Sequence, residues 1–62
     1  MCEANVYLLD KDGNTNLLLD AVDKVIPKED DHIYLENIYG ERKTVRARIK
    51  EMHLVDHRII LE

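Results

Sequence analysis

Cys2 is the one cysteine of this 62-residue chain, and it directly follows Met1. A single thiol closes neither a disulfide nor a four-ligand metal site within one chain. If Met1 is removed, Cys2 carries the terminal amine, and amine, thiolate and a nearby backbone amide form a compact chelate for nickel, copper or zinc. One chain then supplies too few donors, so this interpretation also predicts a dimer in which two Cys2 residues meet. The alternative is an incidental small residue at a chain end.

Glu3 and the histidines are the other candidate metal ligands. Glu3 could bind the metal through its backbone amide, or its carboxylate could contact the metal ligands without binding the ion. The alternative is a solvated residue at the start of a strand. His32, His53 and His57 show no recognisable ligand spacing. His53 and His57 are four residues apart, but a helical zinc site also needs a nearby glutamate on the same face. The local pattern is that of a strand and the turn after it, so we expect the histidines to face solvent or lie in turns.

Five basic residues form the one positively charged cluster: Arg42, Lys43, Arg46, Arg48 and Lys50. We expect Arg46, Arg48 and Lys50 on one strand face, where they could bind RNA phosphates. The alternative is an ordinary solvated face with cross-strand Glu–Arg pairs. The net charge of -4 also argues against a dedicated nucleic-acid-binding domain.

The residue types offer little support for catalysis. The sequence contains no serine and no second cysteine as a nucleophile, and its carboxylates are spread over turns. A domain this small also has little room for a substrate pocket of ~300 Å³ or more. We therefore expect that the protein is not an enzyme.

The composition is typical of one small folded domain spanning residues 1–62. Hydrophobic residues make up 45% of the chain and charged residues 35%. A chain of this length buries only ~60% of the surface that its unfolded form exposes, so self-association is an expected source of further burial. There is no visible signal peptide, and no apolar run approaches the ~20 residues that span a bilayer. We expect a cytoplasmic protein with no membrane contact.

Turn signals and period-two alternation predict short strands. The turns are expected at residues 10–14, 27–31 and 39–41, with a weaker one at 56–58. Alternation is clearest over residues 42–52 and recurs at 32–36 and 4–9, while Ile59–Leu61 forms a closing strand. Leu17–Val22 is ambiguous: a helical turn fits the leucines, but we favour a short strand or a bend that leads into Val25 and Ile26. These segments predict an all-β fold, a small SH3-like or Sm-like, partly open barrel of five or six antiparallel strands.

Three stretches carry a further indication: Met1–Ala4, Glu36–Gly40 and Ile49–Leu61. They resemble the CooT family, small nickel-binding accessory proteins linked to carbon monoxide dehydrogenase maturation, a family that has also been labelled predicted RNA-binding. The Met-Cys start is the specific part of the resemblance. The resemblance implies an SH3-like fold and a homodimer with Ni(II) bound at its interface through Cys2 of each chain.

Residue chemistry and resemblance together predict a metallochaperone. It would hold Ni(II), the expected cofactor, for a nickel-enzyme client such as carbon monoxide dehydrogenase. The alternative is a small RNA-binding β-barrel that uses the basic cluster. Nickel binding should depend on Cys2, whereas RNA binding should depend on the arginines.

Overall fold

The computed structural model describes residues 3–62, which form six strands without a helix. The strands are β1 (Ala4–Leu9), β2 (Thr15–Pro27), β3 (His32–Asn37), β4 (Arg42–Arg46), β5 (Ile49–His53) and β6 (Arg58–Leu61). They build a single sheet in the order β4-β3-β2-β1-β6-β5. The all-β prediction is confirmed. No helix within residues 3–62 has the length and apolar character that crossing a membrane requires.

The predicted turns join neighbouring strands that run antiparallel. Between β1 and β2, the Asp10 carboxylate accepts the backbone N–H groups of Asp12 and Asn14, each at 2.9 Å. Gly13 in this turn has a φ of 84°, and Gly40 between β3 and β4 has a φ of 83°. Glycine adopts these left-handed angles without steric cost, so the two residues allow tight reversals of the chain.

β2 is one strand of 13 residues that bends in its middle. Its first half pairs with β1 and its second half with β3, and the register shifts beyond Val22. Ala21 has a φ of 51°, which a residue with a side chain rarely adopts, and its N–H donates to the Asn5 side-chain oxygen at 3.2 Å. The strand interpretation of Leu17–Val22 is confirmed.

Strand pairing differs from the prediction at one place. β6 lies beside β1 in parallel, with Val6 opposite Ile59, whereas all pairs were expected to be antiparallel. A parallel pair needs a long connection between its strands, and the whole of β2 to β5 provides it here. Periodicity within a strand carries no information about the direction of its partner.

The predicted strand over residues 42–52 is wrong in its continuity, because the chain turns a corner between β4 and β5. Ala47, in the two-residue connection, is buried in the core. Ala47 therefore points inward at the corner, and the alternation in the sequence continues past the end of β4.

The corner requires the sheet to curl. β4 and β5 stand at opposite ends of the strand order, yet only Ala47 and Arg48 separate them. The three Cα–Cα steps from Arg46 to Ile49 span at most ~11 Å. The two edges of the sheet must therefore approach each other. Arg48 and Glu62 exchange backbone hydrogen bonds of 3.1 and 2.9 Å, and the Ala47 N–H donates to the Asp31 carbonyl at 2.9 Å. The sheet does not close, in agreement with a partly open barrel.

The inner face of the curled sheet carries one aliphatic cluster. Its buried members are Val6, Leu19, Val22, Ile33, Leu35, Ala47, Ile59 and Leu61. In β3, Ile33 and Leu35 point inward while His32, Tyr34 and Glu36 stay half-buried on the other face. The strands thus present one apolar and one polar face, as their alternation indicates.

Candidate metal centre and basic face

The predicted nickel ligand Cys2 lies outside the described residues, so its neighbour Glu3 is the first whose surroundings are defined. Glu3 directly precedes β1, which lies inside the sheet between β2 and β6. Ala4 is paired with Val22 of β2, and Asn5 with Arg58 of β6. The start of β1 is therefore held on both sides.

His57 is the histidine that the structure brings beside Glu3. Its carbonyl accepts the Asn5 N–H at 2.8 Å. Glu3 and His57 line a cavity of about 290 Å³ together with Asn5, Asp20 and Ala21. Sequence reasoning missed this neighbourhood because the parallel pairing of β1 and β6 creates it. No local spacing signals a contact between the two ends of a chain.

Imidazole and carboxylate groups are donors that nickel and zinc accept. Within residues 3–62, however, no group of three or more His, Cys, Asp or Glu side chains is placed to hold a metal ion. Glu3 and His57 therefore do not make a complete metal site by themselves.

A larger cavity, which we call the apolar groove, also borders Glu3 and His57. Its volume is about 410 Å³, and its apolar lining comprises Ala4, Val22, Val25, Met52, Leu54 and Ile59. Met52 is 49% exposed and Leu54 is 73% exposed. Glu3, which follows the predicted ligand Cys2 in the sequence, thus borders an apolar surface.

The other two histidines make separate contacts. His53 Nε2 lies 2.7 Å from Glu51 Oε1, and this hydrogen bond, followed by the contact with Lys50, lowers the pKa of the Glu51 carboxyl. His32 Nδ1 lies 3.2 Å from the Glu29 carbonyl oxygen. Both side chains are half-buried, whereas His57 is exposed. The His53 side chain is nevertheless 40% accessible, and His57 lies in the turn after β5, in agreement with the expectation of solvent-facing or turn histidines.

The five residues of the predicted basic cluster are divided by the corner. Arg42, Lys43 and Arg46 lie on β4, Arg48 lies in the connection, and Lys50 lies on β5. The prediction that Arg46, Arg48 and Lys50 share one strand face is wrong, because β4 ends at Arg46. RNA contact by these residues stays a prediction.

Glu36 organises the outer face of β2, β3 and β4. Cross-strand neighbours Lys24 and Arg42 approach its carboxylate at 3.3 and 3.8 Å. The Tyr34 hydroxyl donates to Glu36 at 2.5 Å and, with Lys24, holds the pKa of the Glu36 carboxyl below its usual value. The Lys28 ammonium lies 5.9 Å from the centre of the Tyr34 ring. These contacts are those of a solvated sheet face with cross-strand ion pairs.

Comparison with known proteins identifies the relatives of this fold. The family model described as CO dehydrogenase accessory protein CooT matches residues 1–62. The chain belongs to the CooT family. A crystal structure assigned to CooT from Carboxydothermus hydrogenoformans matches with a TM-score of 0.87 and 48% identity, covering 97% of this chain and 94% of that chain. No curated protein matches.

Membership in the CooT family confirms the resemblance seen in the sequence. The matched range of residues 1–62 includes Cys2 and Glu3 as well as the whole sheet. A CooT chain fits an accessory role for CO dehydrogenase.

Proposed function

We propose that this CooT chain is a metallochaperone that carries Ni(II) to a nickel enzyme such as carbon monoxide dehydrogenase. The ion is held between two copies of the chain through Cys2 of each. The observation that carries the proposal is the match to the CooT family model over a range that includes Cys2. In this role the chain is a carrier and not an enzyme.

The donor chemistry of residues 2 and 3 supports nickel as the cargo. Thiolate and nitrogen donors suit the square-planar geometry that Ni(II) favours. Cys2 can supply the thiolate, and the backbone amide of Glu3 is a candidate nitrogen donor. Two chains together supply enough donors to surround the ion, whereas one chain leaves it short.

The anchoring of β1 supports a shared site at a defined place. Glu3 is joined by one peptide bond to Cys2 and precedes a strand held by β2 and β6. Holding a ligand near its working position reduces the conformational entropy lost on binding. His57, which lines a cavity together with Glu3, is not part of the proposed ligand set.

Nickel titration of the untagged protein tests the proposal, since an affinity tag would add its own ligands. The intact protein should develop thiolate-to-nickel charge-transfer absorption that saturates at one ion per two chains, with native mass spectrometry giving the stoichiometry. Cys2→Ser should lose both the charge-transfer absorption and the stoichiometric nickel binding. His32→Ala is the matched control, because His32 contacts the Glu29 carbonyl and lines neither cavity that borders Glu3. Undiminished binding by Cys2→Ser would show that the ion is held elsewhere.

A further inference from the structure

We propose that the apolar groove and the adjoining Leu54–Val55 tip form the surface through which two copies of this chain meet. This inference rests on the proposed function, because the metal site is incomplete until a second Cys2 arrives. It adds the identity of the surface that brings the two residues together.

The turn between β5 and β6 presents aliphatic side chains to solvent. Leu54 is 73% exposed and Val55 is 92% exposed, and both follow the half-exposed Met52. The turn itself is closed by the His57 N–H, which donates to the Leu54 carbonyl at 3.3 Å. This backbone bond forms whatever the side chains are. Contiguous exposed apolar groups of this kind mark interaction surfaces.

The tip adjoins a groove of matching character. Met52 and Leu54 line the groove from β5 and its turn, while Val22 and Val25 line it from β2. β1 and β6 lie between these two strands in the sheet, so the groove crosses the sheet from one strand to the other. A two-fold dimer joins the same patch on both copies. In such a dimer, the tip of each copy covers the groove of the other.

Charges around the groove favour a second copy over an acidic or a basic partner. Glu3 and Asp23 are acidic, whereas Arg58 is basic. When the patch meets itself across a two-fold axis, an acid of one copy can face a base of the other. A rim of one sign would repel its own copy. An acidic protein or a nucleic acid would meet Glu3 and Asp23 and gain nothing from the apolar centre.

Glu3 connects this surface to the proposed metal centre. It lines the apolar groove, and Cys2 is bonded directly to it. Docking groove against groove therefore brings Glu3 of both copies to one interface. Burial of the apolar groups and completion of the donor set occur in the same contact.

Sedimentation of the nickel-saturated protein tests this surface with Leu54→Glu. Each dimer contains the substitution twice, so we expect the dimer dissociation constant to rise at least ~100-fold, from the lost burial of two leucines. Tyr39→Glu is the matched control, since Tyr39 is 70% exposed in the β3–β4 turn and does not line the groove. It should change the constant less than ~3-fold. Circular dichroism checks that each variant retains the β-sheet.

Val55→Glu is the second variant, because a side chain that is 92% exposed has little part in folding. Weaker dimers in both Leu54→Glu and Val55→Glu support the surface. Dimers as tight as those of the unsubstituted chain in both variants overturn it, and so does an equal loss in Tyr39→Glu. Neither result contradicts the nickel proposal. That proposal fails if Cys2→Ser still binds nickel. An unsubstituted chain that binds nickel as a monomer overturns both.

Discussion

The side chain of Asn37 holds Glu41 by two hydrogen bonds across the turn between β3 and β4. Its Nδ2 donates to Glu41 Oε1 at 2.7 Å, and its Oδ1 accepts the Glu41 N–H at 2.8 Å. The same oxygen accepts the Tyr39 N–H at 3.1 Å. Asn37 is 2% exposed and is the one buried polar residue within residues 3–62. A single amide therefore shapes the turn that leads into β4.

Asn37→Ala should lower the free energy of unfolding by about 1–3 kcal/mol, because it leaves polar groups of the turn without their partner. Urea denaturation followed by circular dichroism measures the change. Glu41→Gln is the control, since glutamine keeps a side-chain oxygen that can accept from Asn37, and it should cost less than ~0.5 kcal/mol. Equal stability of Asn37→Ala and the unsubstituted protein would mean that water replaces the amide.

Acid should destabilise the protein through Glu36, whose pKa lies below its usual value of 4.5 because Tyr34 and Lys24 hydrogen bond to the carboxylate. A carboxyl with a lowered pKa in the folded state stabilises fully above its ordinary pKa and loses this contribution as the pH falls through the folded-state value. The melting temperature should therefore fall as the pH drops below about 5.

In Glu36→Gln, the melting temperature should still fall with decreasing pH, but less steeply than in the unsubstituted protein. Asp10 and Glu51 also have lowered pKa values, from the Asn14 backbone N–H and from His53 respectively. Thermal melts of both proteins between neutral and acidic pH provide the comparison. The same slope in Glu36→Gln would mean that the Glu36 contacts contribute no measurable stability in solution.

Nickel binding should be independent of the basic residues on β4. Arg42 contacts Glu36, and neither Arg42 nor Arg46 lines the cavities beside Glu3. Arg42→Ala and Arg46→Ala should therefore leave the nickel dissociation constant unchanged within ~3-fold, measured by calorimetry. A larger change in either variant would place the ion closer to β4 than we propose.

The RNA alternative makes the opposite prediction for the same variants. Binding of a labelled single-stranded oligonucleotide, followed by fluorescence anisotropy, would weaken in both and would fall steeply between ~50 and ~200 mM salt. We expect no such binding, because Tyr34 is engaged by Glu36 and Lys28 and is poorly placed to stack on a base. Salt-dependent binding lost in Arg42→Ala and Arg46→Ala would favour the alternative.

Local chemistry was sufficient to predict most of the fold. Gly13 and Gly40 mark turns because their backbone angles suit few other residues, and alternation marks strands because successive side chains point to opposite faces. The corner after Arg46 escaped prediction because Ala47 keeps the inward alternation there. The direction of β6 was not predicted, because it depends on which distant strand β6 pairs with.

The site was predictable only in part, and for the same reason. Cys2 stands out by residue type, and the family match includes its position. The approach of His57 to Glu3, and the groove that both line, arise from the pairing of strands at opposite ends of the chain. Residue types identify a donor, whereas tertiary pairing decides which groups surround it.

The place of β1 inside the sheet has a consequence for biosynthesis. Translation delivers this strand first, yet one of its two hydrogen-bonding edges stays bare until Arg58–Leu61 leave the ribosome. Because so many contacts join distant parts of the sequence, a nascent chain cannot complete the sheet early. The cavity that Glu3 and His57 line therefore forms only after Arg58–Leu61 have paired with β1.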